Sequence, residues 1–573
     1  IGWQAMYGSN HTDANGTVAI GKGALEALSS GQYSVAVGYE AGNEITTSDS
    51  STGLGYRALA GTSAAACYGN NNTAIGYNAL TKIDYGANTN TAVGSEAGQI
   101  MTQGTANTLL GYKALGSYSG YSATPEAHRN IAIGYESIGI FARSGTGTSG
   151  GVSDNIAIGY QAFKGADLGS NPSTTHSKNI AIGNYALDAT GTNAQTGTIA
   201  IGHEALTALT SGTQNTAIGY QAGLIATDNT GNTIIGYQAF KAADSGENNN
   251  TVIGALAGSA IDSATADNNV LIGYSAGLGG DGQIKNSIAI GNYALDNTGT
   301  ADVLGVVAIG HYAGSSANHS QVEGGTFVGY EAGKSLGSAG HTTAIGYQAL
   351  TTVNANGYNT AVGSCALKLA TGGYNTALGS HAGTALVGGT HNTAIGYQAL
   401  DADAEGDYNT CIGSGAGGGF NNTGNDHNTC IGYAAGVGGN NQDIDGIVAV
   451  GSEALNSIDN NGADGSVAVG RSALTALTLG AENTAIGFEA GKAMTTNAKN
   501  VIIGFQSLLA ADAGETANVS IGYQAMSAVD HADSDANVVI GRGAGTGGAG
   551  QFDSNIAIGS EALNSTGSNT MSG

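Results

Sequence analysis

The residues of this chain with the most chemical reach gather in one stretch. Tyr118, Tyr121, His128, Arg129, Phe141, Arg143, His176 and Lys178 fall within residues 112–178, beside both prolines, Pro125 and Pro172. Rings and cations on loops that leave a rigid scaffold are suited to gripping a ligand, so these residues are the candidate contact loops. The plainer reading is tolerated insertion, because lengthening an exposed loop costs little.

Other reactive types give weaker signals. Cys411 and Cys430 occupy equivalent places in consecutive copies of a repeat, close enough for a disulfide but with parallel side chains. They read better as small buried residues, and Cys67 and Cys365 have no evident mate. Asp281-Gly282 and Asp443-Ile444-Asp445-Gly446 are acidic turns of a kind that can hold calcium, but they do not recur as calcium-loaded rolls require. His341, His391 and His427 share one repeat position in copies that are not all adjacent, and read as turn residues. No catalytic constellation stands out. The expectation is no enzyme, no cofactor and no metal.

Behind these residues stands a repeat. Asn-Thr-Ala-Ile-Gly-Tyr-Gln-Ala-Leu is nearly pure at Asn215–Ala222, Thr343–Leu350 and His391–Leu400, and 31 copies run from Gly2 to Gly559. Successive central glycines are mostly 17–19 residues apart. A fixed period of this size means one supersecondary unit stacked many times. The reading is a single continuous array over 1–573 with longer loops at 112–178. Both ends look cut, because the chain opens inside one copy and closes on a degenerate one.

Positions are numbered from the central glycine. Position −1 is Ile, Val or Leu and −3 is Thr, Val or Ile in every copy, which is a short β-strand with branched residues on one face. Position −2 points the other way and is Ala in 19 of 30 copies. Both faces read as dry, and a second chain is the simplest cover for one of them. Ala74, Ala92, Ala217, Ala344, Ala394, Cys411 and Cys430, all at −2, are therefore the candidate subunit interface. Tyr at +1 in 14 copies predicts an aromatic column, and Asn at −4 in 20 copies predicts an asparagine ladder. Glycine, asparagine and branched residues exclude helix. The expected fold is all-β: a parallel β-solenoid or β-roll of about 31 coils with two strands of 4 or 5 residues per coil. At about 4.8 Å per coil that is a rod of roughly 150 Å.

Composition narrows the partners. Gly is 98 of 573 residues and Pro 2, which excludes collagen. Only 10% of residues are charged and the net charge is −26, so no basic face awaits nucleic acid. No apolar run is long enough to insert in a membrane.

The phrase Thr-Ala-Ile-Gly-Tyr-Asn-Ala-Leu at Thr73–Leu80 resembles the repeat arrays of phage tail-fibre proteins. It is also similar to the Asn-Ser-Val-Ala-Ile-Gly head repeats of trimeric autotransporter adhesins, which form left-handed β-rolls. The resemblance implies a homotrimeric fibre on a virion or cell surface, in which a stiff shaft displays surfaces that contact a host glycan or protein. A cell-surface adhesin or extracellular filament of the same build is the alternative. An ice-binding monomer using threonines at −3 is a third reading.

Overall fold

A computed structural model describes residues 1–573 apart from 9–12, 62–66, 84–85, 100, 117–126, 140–150, 166–174, 191–192, 281, 300–301, 317–321, 338–339, 354–356, 403–404, 421–423, 440–442, 460–461, 549, 565–569 and 573. Among the described residues the chain is all-β without a helix, and its parallel strands stack as a β-solenoid. Two compact units, Ile1–Asn292 and Tyr293–Gly573, share this build.

Each unit carries 15 three-residue strands at positions −3 to −1, from Val18–Ile20 to Ile288–Ile290 and from Val307–Ile309 to Ile556–Ile558. Neighbours pair in parallel without slip, as Thr73, Ala74 and Ile75 do with Thr91, Ala92 and Val93. The strands are shorter than the 4 or 5 residues expected, because left-handed backbone bounds them on both sides. In the Gly76 coil Asn71 sits at φ 58° and Gly76 at 139°. The second strand of each coil is intermittent. Two-residue strands pair at Gly104–Thr105, Ala127–His128, Val152–Ser153, His176–Ser177 and Gln195–Thr196 in one unit, and at Val303–Leu304 and Val322–Glu323 in the other. Other coils, such as those of Gly212, Asn229 and Gly372, carry no strand at this place.

The central glycine is required twice over. Its φ lies in the region that L side chains avoid, and it meets the glycine of the next coil backbone to backbone. A Cβ on Gly159 would come within 2.6 Å of the Gly183 carbonyl. Hydrogen bonds run to both neighbours of a coil: Thr73 and Leu80 donate forward to Asn90 and Ala97, while Gly76 and Asn78 donate back to Leu54 and Tyr56.

The core lies inside the coils and is filled from positions −2, +3 and +4. Ala74, Ala79 and Leu80 are fully buried, and their equivalents are buried in every coil but the first and last. This corrects the expectation for position −2. Ala74, Ala92, Ala217, Ala344, Ala394, Cys411 and Cys430 are all 0% exposed within one chain, so none is available to a partner subunit. The side chain at −2 points inward, and those at −1 and −3 take the outer face. Cys411 and Cys430 are register neighbours, and neither is in a disulfide.

Core volume is traded between two positions. Nine coils carry an apolar residue larger than Ala at −2, namely Leu109, Ile234, Val252, Leu271, Phe327, Cys411, Cys430, Ile502 and Val539. Each is matched by Gly at +4 in its own coil or the one before, as with Leu271 and Gly277 or Ile234 and Gly223. A Cβ on Gly277 would lie 2.5 Å from Leu271 Cδ2. Close packing leaves no slack for both side chains.

Asparagines at −4 form the expected ladder, fully inside the protein. The Asn90 main-chain N–H and its side-chain amide both donate to Asn72 Oδ1 at 3.0 Å, and Asn90 Nδ2 also donates to the Gly104 carbonyl. Asn107, Asn130, Asn155 and Asn179 repeat the pattern. Each rung satisfies polar groups that burial would otherwise strand.

Candidate functional site

The outward face of each ladder is the most extended surface of either unit. Strand residues −3 and −1 flank the buried −2 residue and stand half-exposed, in a burial pattern that recurs in coil after coil. Ile218, Ile345, Ile431 and Ile486 at −1 are 37–40% exposed. No copy places a charge at either position, so the face is an uncharged aliphatic and threonine surface in a chain of net charge −26. Thr326, Thr343, Thr360, Thr376, Thr393, Thr410 and Thr429 form an unbroken file along it, held in register by the strand pairing.

Rings at +1 stack beside this face. Tyr39, Tyr56 and Tyr77 stack with centroids 5.2–5.3 Å apart and planes nearly parallel, and Tyr112, Tyr135 and Tyr160 form a second run. Further runs are His203–Tyr220–Tyr237, His311–Tyr330–Tyr347 and Phe488–Phe505–Tyr523. Ser, Asn, Ala or Arg at +1 separates them, so the expected column is a set of short stacks.

A second aromatic file was not legible from the histidines alone. His341, His391 and His427 are at −5, and the coils between them carry Tyr358, Tyr374 and Tyr408 at the same position. All six rings stack in sequence with centroids 4.8–5.4 Å apart. All six residues have φ between 52° and 65°, a conformation that turns each side chain outward. The signal was the position, read across consecutive coils whichever aromatic fills it.

The described residues include part of the candidate contact loops. Tyr118, Tyr121, Phe141 and Arg143 lie outside the described residues, as do Pro125, Pro172 and Asp281. His128, Arg129 and Lys178 are on the surface of neighbouring coils. Thr105 Oγ1 lies 3.0 Å from His128 Nδ1, and Arg129 forks onto Asp154, with Nη2 donating to Oδ2 at 2.9 Å. The hydrogen bond to Arg129 holds the Asp154 carboxyl below the usual carboxylate range. Arg129, Asp154 and Lys178 all occupy −5 in successive coils, which makes an alternating charge file. His176 is a correction: it is fully buried at −7, packs edge-on to Phe163, and burial pushes it down to about 4. A neutral core imidazole is no surface contact for a ligand.

The fold puts the chain among parallel β-solenoids built from a short glycine-centred repeat. No known protein family and no curated protein matches it. Among the described residues no helix is long and apolar enough to cross a membrane.

Proposed function

We propose that the chain is a shaft segment of a homo-oligomeric surface fibre, most simply a trimer of the phage tail or capsid type; a cell-surface adhesin or extracellular filament of the same build is the alternative. The observation that carries this reading is the uncharged outward face at −3 and −1, repeated in every coil. Exposed apolar surface of this continuity calls for a partner. A second copy of the same chain offers an identical repeat length, and this face is where two chains of net charge −26 meet with least repulsion. The fibre works mechanically. Many equal coils hold contact surfaces away from the particle, and repeated weak contacts with a host glycan or protein add by avidity.

Native mass by sedimentation, before and after boiling in detergent, tests the proposal. A heat-resistant trimer that Ile345→Lys with Ile395→Lys converts to a folded monomer supports it. A wild-type monomer at micromolar concentration overturns it. The unbroken threonine file favours a second reading, in which a flat Thr and Ile surface orders ice. Thermal hysteresis in a monomeric sample would establish that reading, and its absence would remove it.

A further inference from the structure

Position −7 faces the core, and Ala266, Ile284, Val303 and Val322 fill it in the usual way. Twice it holds a glutamate. Glu247 and Glu515 are each 0% exposed. Each accepts one hydrogen bond through Oε2, from an asparagine at −7 of the coil before: Asn229 Nδ2 at 3.0 Å and Asn497 Nδ2 at 2.6 Å. The other oxygen, Oε1, is buried without a hydrogen-bond partner in both. A carboxylate taken out of water keeps its charge only beside a counter-charge.

Two aspartates complete each arrangement. Carboxylate oxygens of Asp244, Glu247 and Asp262 lie within 4.8 Å of one another, and those of Asp512, Glu515 and Asp530 do the same. The aspartates are exposed, so each buried glutamate lies at the base of a site open to solvent. Asp244 and Asp262 stand eight residues after Gly236 and Gly254, and Asp512 and Asp530 eight after Gly504 and Gly522. The sites are thus the same construction, one in each unit. None of the ion pairs among the described residues includes any of the six acids. The construction is also written in the sequence. Ala242-Ala243-Asp244-Ser245-Gly246-Glu247 and Ala510-Ala511-Asp512-Ala513-Gly514-Glu515 share one pattern, and each is followed 18 residues later by Asp262 or Asp530. One acidic cluster would mean little. A repeated one, with a buried glutamate oxygen left unpaired each time, is built to take a positive occupant.

We infer that each trio binds a hard divalent cation, calcium by the chemistry of its ligands. All donors are oxygens, which disfavours zinc and other metals that prefer nitrogen or sulfur. Three carboxylates on one side, with water on the other, suit the irregular six- to eight-oxygen shell of calcium better than the strict octahedron of magnesium. The ion joins Asp244 and Asp262, equivalent residues of neighbouring coils, through the glutamate between them. It supplies a counter-charge within a chain of net charge −26. The inference does not rest on the fibre reading, since each trio lies within one chain.

The test is calcium titration of the whole chain after chelator treatment, by calorimetry and by thermal melting. The expected result is saturable binding of two ions per chain, one per trio, with a Tm that rises with calcium. Glu247→Gln with Glu515→Gln is expected to lose the binding and the Tm rise, while the metal-free variant melts no lower than the metal-free wild type. Asp262→Asn with Asp530→Asn, at exposed positions that do not challenge folding, is expected to lose them as well. No saturable binding in the wild type overturns the inference, and so does binding of unchanged affinity in both variants, which marks diffuse adsorption to an acidic surface. Displacement of calcium by an equal concentration of magnesium overturns the assignment to calcium.

Discussion

Phe327 occupies the room that any side chain on Gly333 would need, and the two residues sit in the same coil at −2 and +4. Elsewhere the sizes are exchanged: Ala394 at −2 faces Leu400 at +4, both fully buried. Phe327→Ala should cost about 3–5 kcal/mol by opening a cavity. Gly333→Leu alone should clash and also strain a residue at φ 59°. The double variant should recover a large part of the loss, because other coils show that Ala and Leu fit together. A urea-denaturation cycle checks this. Additive losses would show that the exchange of volume is not what pairs the positions.

The asparagine ladder should be sensitive to removal of any rung. Asn392 accepts from the Asn409 main-chain N–H at 2.8 Å and donates to the Gly406 carbonyl at 2.7 Å. Asn392→Ala strands both groups in the core, at about 1–3 kcal/mol for each buried polar group left unpaired. Thr393→Ala, on the outward side of the next residue, should stay within about 1 kcal/mol in a monomer. Equal losses for the two variants would contradict the inward ladder.

In the −5 file, Tyr374 stacks on Tyr358 and His391 at 5.1 and 4.8 Å. Its backbone is left-handed at φ 63°. Tyr374→Ala loses two ring contacts, each worth about 0.5–1.5 kcal/mol, and keeps the backbone strain. Tyr374→Gly loses the same contacts but relieves the strain, by about 1 kcal/mol. The glycine variant should therefore melt higher than the alanine variant. The reverse order would mean that the coil does not hold this residue left-handed.

His176 gives the array a pH dependence. Burial lowers it from 6.5 to about 4 in the folded chain. The unfolded chain takes the proton first as pH falls, so the stability present above pH 6.5 is lost progressively down to about 4, by up to about 3 kcal/mol. His176→Gln should flatten that slope. Gln195 already fills the same position in the adjacent paired strand, so an amide fits there by size, and the cost of burying it is the same at every pH. Melting temperature measured across this range decides. An unchanged slope in the variant would place the titration elsewhere.

The two faces of the strand show what was legible and what was not. Ile218 and Ala217 alternate in the sequence as a strand must, and both are apolar. Pattern alone divides them into two faces without saying which lies inside. The reading that gave Ala217 to a partner chain failed on this point. Closing the coil puts −2 inside, where Ala is the commonest residue and a large apolar one is matched by Gly at +4 of its own coil or the one before. The exchange between Phe327 and Gly333 was equally hidden, because it joins positions whose contact depends on how the coil turns. The file of His341 and its neighbours is hidden among the histidines because Tyr358, Tyr374 and Tyr408 complete it at the same position.

The sequence by itself determined the parallel stacked architecture, the period, the place of the strand at −3 to −1 and the asparagine ladder. Those follow from local rules, since a glycine at φ near 140° and branched residues two apart permit little else. The tertiary structure alone decided which face is core, which rings touch, and that Glu247 and Glu515 each meet two aspartates. Those relations join residues about 18 apart on stacked coils, and only the register of one coil on the next brings them within reach.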